Sequence, residues 1–175
     1  MNRLREHLKI ERKNLSSKES HEMSHAISQT VINSRWIKDY FKVGMYHPVN
    51  GEANTLELID FIWSKNQQVF LPIIHKKNLL FGKLMPDSKL INNCFGIPEP
   101  SVRRYNQVSA YLLDMVFVPL VAFDLSGFRM GMGSGYYDRT FERKLGIKGA
   151  KNPILVGLAY EFQKQEKLNH QTWDV

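Results

Sequence analysis

The segment Met115–Leu145, MVFVPLVAFDLSGFRMGMGSGYYDRTFERKL, decides the fold class of this 175-residue chain. Its first residues, Met115–Pro119, form a short, continuously apolar run bounded by turn signals, as expected of a strand buried on both faces. A turn is predicted around Ser126–Gly127. The glycine alternation Gly131, Gly133, Gly135 follows, and a helix that includes Tyr136, Phe141 and Leu145 is predicted to begin near Gly135. Strand, glycine-rich loop and helix in that order belong to α/β proteins, where ligands bind beyond the carboxyl ends of the strands.

The same alternation extends outward. Val43–Tyr46, Val69–Ile74, Leu79–Phe81 and Ile154–Leu158 have the length and apolarity of strands. Between the first two, Leu56, Ile59 and Ile62 or Trp63 place a helix across 55–65. The predicted fold is therefore an α/β, three-layer single domain over 1–175, with a mostly parallel sheet and helices on both faces. Residues 2–14 read as a basic amphipathic helix, with Leu4, Leu8 and Leu15 close to one stripe and Arg5, Lys9, Arg12 and Lys13 elsewhere. Ser16 followed by Glu19 has the pattern of a capping box, so a second helix starts there and runs to about Ser34, burying Met23, Ile27 and Val31. His21 and His25 stand four apart, but with no third ligand in sight they read as a solvated helix face. The stretch 82–112, with Pro86, Pro98 and Pro100, reads as loops and a hairpin.

Composition narrows the setting. At 43% apolar and 23% charged, the chain can build a core and is not biased towards disorder. A single cysteine, Cys94, allows no internal disulfide and no paired-cysteine zinc site, which favours a reducing, cytoplasmic location. The charged start MNRLREHLKIERK lacks the apolar centre of a signal peptide. The longest apolar run, Met115–Phe123, falls short of the roughly 20 residues that cross a bilayer, so no membrane partner is expected. A net charge of +7 suits an anionic partner, either nucleic acid, a membrane surface or a small polyanion such as a nucleotide. No nucleic-acid motif accompanies the basic first helix or Arg103-Arg104, so no nucleic acid is predicted and a monomer is the default.

A glycine-rich loop after a buried strand lets main-chain N–H groups approach an anion, and phosphate is the natural occupant. Arg129 offers a forked donor to phosphate oxygens, and Asp138 a hard oxygen for magnesium. The structural alternative stays open, since tight turns also use glycine for its φ freedom alone. The loop is neither a P-loop, lacking Gly-Lys-Ser/Thr, nor a dinucleotide fingerprint.

The string Phe123-Asp124-x-x-Gly127-x-Arg129-x-Gly131-x-Gly133-x-Gly135-Tyr136-Tyr137-Asp138-Arg139 resembles the signature of the 5-formyltetrahydrofolate cyclo-ligases, also called methenyltetrahydrofolate synthetases. Leu4-Arg5, Gly51-Glu52-Ala53-Asn54-Thr55, Val69–Pro72 and Phe95-Gly96-Ile97-Pro98-Glu99-Pro100 extend the resemblance over nearly the whole chain, in order. It implies conversion of 5-formyltetrahydrofolate, polyglutamylated or not, to 5,10-methenyltetrahydrofolate, with ATP hydrolysed to ADP and phosphate and Mg2+ as the metal. The formyl oxygen would attack the γ-phosphate, N10 would close the ring and phosphate would leave, so no enzyme nucleophile is required.

Carried over residue by residue, the resemblance places Arg129, Gly131, Met132, Gly133, Ser134, Gly135, Tyr136 and Tyr137 around the ATP phosphates, with Arg129 and Tyr136 also catalytic and Asp138 on magnesium. Arg5 would reach the nucleotide from the first helix. Glu52 matches an acid beside the pterin and formyl group, where a carboxylate accepts pterin N–H bonds or takes the proton lost on ring closure. Its alternative is an acid that complements the dipole of the helix starting near Asn54. Met45, Tyr46 and Phe81 would wall the pterin, with Thr55, Pro98 and Tyr136 completing the substrate set, although at strand ends such aromatics also serve as core.

Two positions depart from the pattern. Met1-Asn2-Arg3 occupies the place of a lysine that suits the γ-phosphate, leaving Arg3 as its substitute, and Ser134 stands where glycine or lysine is commoner. Lower activity is the expected consequence. Trp173-Asp174-Val175 is similar to the start of the family's closing acidic segment and final strand, so the expectation is either a shortened sequence or an absent final strand. Two other functions compete: a cyclo-ligase-like regulator that binds nucleotide or folate without catalysis, and a basic nucleic-acid-binding protein.

Overall fold

In the computed structural model, which describes residues 2–142 and 153–168, the chain opens with two helices. Helix α1 spans Asn2–Asn14 and ends on Arg12 and Lys13, cations that suit its C-terminal dipole. Helix α2 spans Ser17–Asn33 and begins where the capping box predicts: the Glu19 amide donates to Ser16 Oγ at 3.2 Å, and the Ser16 amide donates to Glu19 Oε2 at 2.9 Å.

The remaining elements follow in chain order. They are β1 (Lys42–Gly44), α3 (Leu56–Ser64), β2 (Gln68–His75), β3 (Asn78–Leu84), β4 (Leu90–Asn92), β5 (Pro98–Pro100), β6 (Gln107–Ser109), β7 (Met115–Pro119), β8 (Ala122–Asp124), β9 (Arg129–Met130), α4 (Tyr136–Phe141), β10 (Ile154–Leu158) and β11 (Lys164–Gln165). Six strands form the main sheet in the order β10-β7-β1-β2-β3-β6. The run from β10 to β2 is parallel, as the apolar runs predict. Strand β3 turns back antiparallel because only Lys76 and Lys77 separate its start from the end of β2, and a two-residue loop permits only a hairpin. Lys76 takes the positive φ of 56° that such a turn requires.

Alternation along the buried strands feeds two cores. Val69, Leu71, Met115 and Phe117 face one way, onto Val31 of α2 and Ile59 and Ile62 of α3. Phe70, Val116 and Val118 face the other, onto Phe141 of α4. The sheet is thus covered on both faces. A third cluster joins Leu8 of α1 to Val121, Ala122 and Met130 of a small sheet ordered β11-β8-β9.

The turn expected at Ser126–Gly127 is the tip of the β8–β9 hairpin, where Asp124 Oδ1 accepts from the amides of Ser126 and Phe128. The hairpin expected within 82–112 is β4–β5. Leu145 and Trp173-Asp174-Val175 lie outside the described residues. Among the described residues no helix is long and apolar enough to cross a membrane, and no group of three or more His, Cys, Asp or Glu side chains gathers to hold a metal. His25 instead meets Glu57 Oε2 at 3.0 Å on the exposed surface between α2 and α3.

Candidate active site

A cleft of about 400 Å³ opens beyond the carboxyl ends of β1, β2 and β7. Its first wall is the loop between β1 and α3. Asn50 and Gly51 take φ of 54° and 74°, which turns the chain sharply and brings Glu52 back beneath Val49. The Val49 amide donates to Glu52 Oε2 at 3.1 Å, and the Glu52 amide donates to the Val49 carbonyl at the same distance. Glu52 is only 8% exposed. Burial pushes its carboxyl above the usual carboxylate range, and the Val49 amide and the Arg12 guanidinium partly offset that rise.

Tyr46 lines the cleft, and its hydroxyl donates to the Ala53 carbonyl at 3.0 Å. Thr55 Oγ1 donates to the Tyr46 carbonyl at 2.8 Å, so Thr55 is a buried fastener of the loop and does not face the cleft. Met45 and Phe81 also correct the expectation of a pterin wall. Both are fully buried, Met45 in the α2–α3 core and Phe81 in the α4 core, because the side chains alternate to opposite faces of the sheet.

The second wall comes from the β2–β3 and β4–β5 hairpins. Glu99 Oε1 accepts from the Ile74 amide at 2.9 Å and from Asn93 Nδ2 at 2.7 Å, pinning the short hairpin across the longer one. Pro98 lines the cleft. Phe95 was given no role by sequence, yet it is 58% exposed, lines the cleft and packs edge-on to Tyr136 with ring centres 6.0 Å apart. His47 was also missed; it lines the cleft, and its Nδ1 is buried without a partner. Nothing in the spacing of either residue marks it.

The third wall is the glycine loop. Gly131, Met132, Ser134, Gly135, Tyr136, Tyr137 and Asp138 all line the cleft with Arg129. Gly133 (φ 103°) does not; a Cβ there would point at the Arg5 guanidinium, 3.7 Å away. Arg5 Nε donates to the Gly131 carbonyl at 3.0 Å, which ties α1 to the loop, whereas Arg3 is exposed on the same helix. Arg129 Nη2 donates to Asp138 Oδ1 at 2.6 Å. Its guanidinium carbon lies 5.8 Å from the centre of the Tyr137 ring, and its Nε is buried with no partner. Burial pushes the phenols of Tyr46 and Tyr137 well above their usual values, so both present neutral hydroxyls. A second cavity of about 330 Å³, between β7, the β8–β9 hairpin and β10, also has Arg129 in its wall.

This arrangement suits a polyphosphate with a magnesium ion. An orphaned buried guanidinium N–H is a donor in search of an acceptor, and phosphate oxygens are the acceptors that a forked cation recognises. Magnesium needs only one or two protein carboxylates when phosphates and water supply the rest, so a lone Asp138 is a sufficient protein ligand.

Arg12 is the largest departure from the sequence reading. Expected on the basic face of α1, it is 2% exposed. Its Nε donates to the Asn50 carbonyl at 2.9 Å and its Nη1 to the Leu120 carbonyl at 3.1 Å. The signal was present, since Leu4, Leu8, Arg12 and Leu15 fall on one helical stripe.

The 5-formyltetrahydrofolate cyclo-ligase family matches the chain over residues 1–175. The 5-formyltetrahydrofolate cyclo-ligase of Haemophilus influenzae is 38% identical over 167 residues, covering 94% of this chain and 87% of that protein. The Escherichia coli K12 protein of the same name is 37% identical over 136 residues, covering 76% of this chain and 72% of its own length. The NMR structure of Aquifex aeolicus 5,10-methenyltetrahydrofolate synthetase superposes with a TM-score of 0.83 at 31% identity, over 99% of this chain and 84% of that one. The Mycoplasma pneumoniae synthetase, at 22% identity and a TM-score of 0.75 over 99% of this chain and 93% of its own, shares the fold.

Proposed function

Because the chain belongs to the 5-formyltetrahydrofolate cyclo-ligase family, we propose that its ring closure takes place in the cleft between Glu52 and the Arg129–Asp138 loop. The reaction is the ATP-dependent conversion of 5-formyltetrahydrofolate to 5,10-methenyltetrahydrofolate, with release of ADP and phosphate. One observation carries the assignment to this cleft: a buried carboxylate and a glycine-rich loop with an unpartnered arginine N–H, 77 residues apart from Glu52 to Arg129 in sequence, open onto the same space.

ATP supplies a phosphoryl group that turns the formyl oxygen into a leaving group. The substrate therefore brings its own nucleophiles, and the protein positions and neutralises. Arg129 would take phosphate oxygens on its unpartnered Nε and on the nitrogen that now holds Asp138, and Asp138 would be the residue to hold magnesium, which would neutralise phosphate charge. The main chain at Gly131 and Gly135, which carry no side chain of their own, would approach the phosphates, beside the hydroxyl of Ser134. Tyr136 and Phe95 form an aromatic bracket across the cleft mouth. Glu52, held by the Val49 amide, accepts pterin N–H groups or the N10 proton released on closure, and its raised pKa improves it as a proton acceptor.

The same reading makes the protein a cytoplasmic, single-domain monomer that uses Mg2+, takes mono- or polyglutamylated folate, and has neither nucleic acid nor membrane as partner. Exposed, unpaired Cys94 accords with a reducing compartment. The test is an absorbance time course with 5-formyltetrahydrofolate, ATP and magnesium, following the longer-wavelength absorption of the conjugated methenyl product. Product that requires both ATP and magnesium supports the reading. Folded protein that binds folate or nucleotide and forms no product replaces it with a non-catalytic relative.

A further inference from the structure

A charged group is rarely placed where Arg12 lies. The stripe it shares with Leu8 and Leu15 calls for leucine or methionine, and burying a guanidinium costs several kcal/mol unless its donors are satisfied. Here the donors reach three other parts of the chain. Nε meets the Asn50 carbonyl in the acid loop, Nη1 meets the Leu120 carbonyl just past β7, and Nη2 lies 3.6 Å from Met132 Sδ in the glycine loop. Nη2 is also 3.9 Å from Glu52 Oε1, too far for a hydrogen bond but close for an ion pair whose side chains are 1% and 5% exposed. The backbone of the same helical turn presses on the acid loop, since a Cβ on Gly51 would sit 2.6 Å from the Arg12 carbonyl oxygen. Glycine at 51 and arginine at 12 are thus two halves of one joint.

We propose that Arg12 is a positioning residue for ring closure: its planar fork fastens the acid loop and the glycine loop to α1 and so fixes where Glu52 stands relative to the nucleotide. It does not line the cleft, and Glu52 already has its hydrogen bond from Val49. Its effect runs through the loop it holds and through its charge. Lysine cannot replace it, because one ammonium on a flexible stem cannot satisfy carbonyls on separate segments in fixed directions. The proposal rests on the reading of Glu52 as the folate-side acid.

The test is a double-mutant cycle on the full chain, with kcat, both KM values and Tm measured for the parent, Arg12→Lys, Glu52→Gln and the double variant. Arg12→Lys is expected to lower kcat by about tenfold or more in the parent, and by less than about twofold once Glu52 is gone, because residues that act as a unit are not additive. Gly51→Ala, which pushes the same loop off α1 while leaving every charge in place, is expected to give the same pattern and serves if Arg12→Lys does not fold. A kcat loss of equal factor in both Glu52 backgrounds, or one that follows Tm alone, overturns the proposal. A Glu52→Gln variant that turns over like the parent overturns instead the reading of Glu52 on which it rests.

Discussion

The acid loop and the glycine loop face each other across one cleft and are built in opposite ways. In the acid loop most of the fastening is done by short polar groups, Tyr46 to Ala53, Thr55 to Tyr46, Val49 to Glu52, and the Asn54 amide to Ser24 Oγ at 3.0 Å, with Arg12 on the Asn50 carbonyl as an added cationic tie. In the glycine loop, long cationic side chains do the fastening, with Arg5 on the Gly131 carbonyl, Arg139 on the Ser134 carbonyl and Arg129 on Asp138. The first is a wall fixed before any ligand arrives. The second holds cations on internal acceptors, and under the proposed assignment phosphate oxygens would replace those acceptors, so that ligand binding there would be an exchange of partners. Changes on the glycine side should therefore act on nucleotide use and catalysis, and changes on the acid side on stability or on the chemical step.

The sharpest way to break this contrast is Arg129→Ala. Removing the forked cation is expected to lower kcat by about a thousandfold, in the range seen for arginines that stabilise phosphoryl transfer, while Tm moves little. Arg129→Lys should recover only a small part, because a point charge does not reproduce the fork. A near-parental kcat for Arg129→Ala would end the assignment of the phosphates to this loop.

Asp138→Asn comes next. The neutral amide weakens the magnesium ligand, so the KM for magnesium-ATP should rise by about tenfold, while saturating magnesium restores much of the rate. It also releases Arg129 from its ion pair. A fall in that KM would show that the internal pair, at 2.6 Å, competes with the nucleotide more strongly than the metal helps it. Steady-state kinetics at several magnesium concentrations separates the outcomes.

On the acid side, Thr55→Val keeps the shape and removes the hydroxyl bond to the buried Tyr46 carbonyl. The expected cost is about 1–2 kcal/mol, a loss of a few degrees in Tm, with the KM for ATP unchanged. Thermal melts and ATP titration check it. A raised KM for ATP would mean that the two loops are less separate than their hydrogen bonds indicate.

The two regions also differed in how far sequence alone revealed them. The glycine loop is local: Arg129 to Asp138 lie within ten residues, and the glycine spacing, the arginine and the acid could be read together. Most strands of the main sheet were legible for the same reason, since Met115–Pro119 and Ile154–Leu158 are continuous apolar runs bounded as read, whereas β6, short and polar at Gln107–Ser109, fell in a stretch read as loops. What sequence misplaced depends on faces and long-range contacts. Met45 and Tyr46 are neighbours in sequence and share one core cluster, yet only Tyr46, 2% exposed, also lines the cleft. Arg12 was judged by its charge, although its spacing from Leu8 and Leu15 put it on the buried stripe. Phe95 and Glu99 enter the site because the β4–β5 hairpin is pinned across β2 by the Glu99 side chain, a contact that no local pattern encodes.

The smallest expected effect separates stability from function at Glu52 itself. Burial raises its carboxyl pKa in the fold, so the protonated form is favoured there and ionisation opposes folding. The contribution is fully present below the unfolded value of about 4.3 and is lost as the pH rises through the higher folded value. The charged and titratable groups facing Glu52 are Arg12, which favours the carboxylate, and the Tyr46 and Tyr137 phenols, both neutral at pH 7. Glu52→Gln should therefore melt slightly above the parent at pH 7, and that advantage should vanish as the pH approaches 4, although the variant closes the folate ring poorly. Thermal melts of both proteins across that range decide the sign. A variant that melts below the parent at pH 7 would mean that the Arg12 ion pair outweighs burial, and that the acid loop gains stability from the very charge that its function requires.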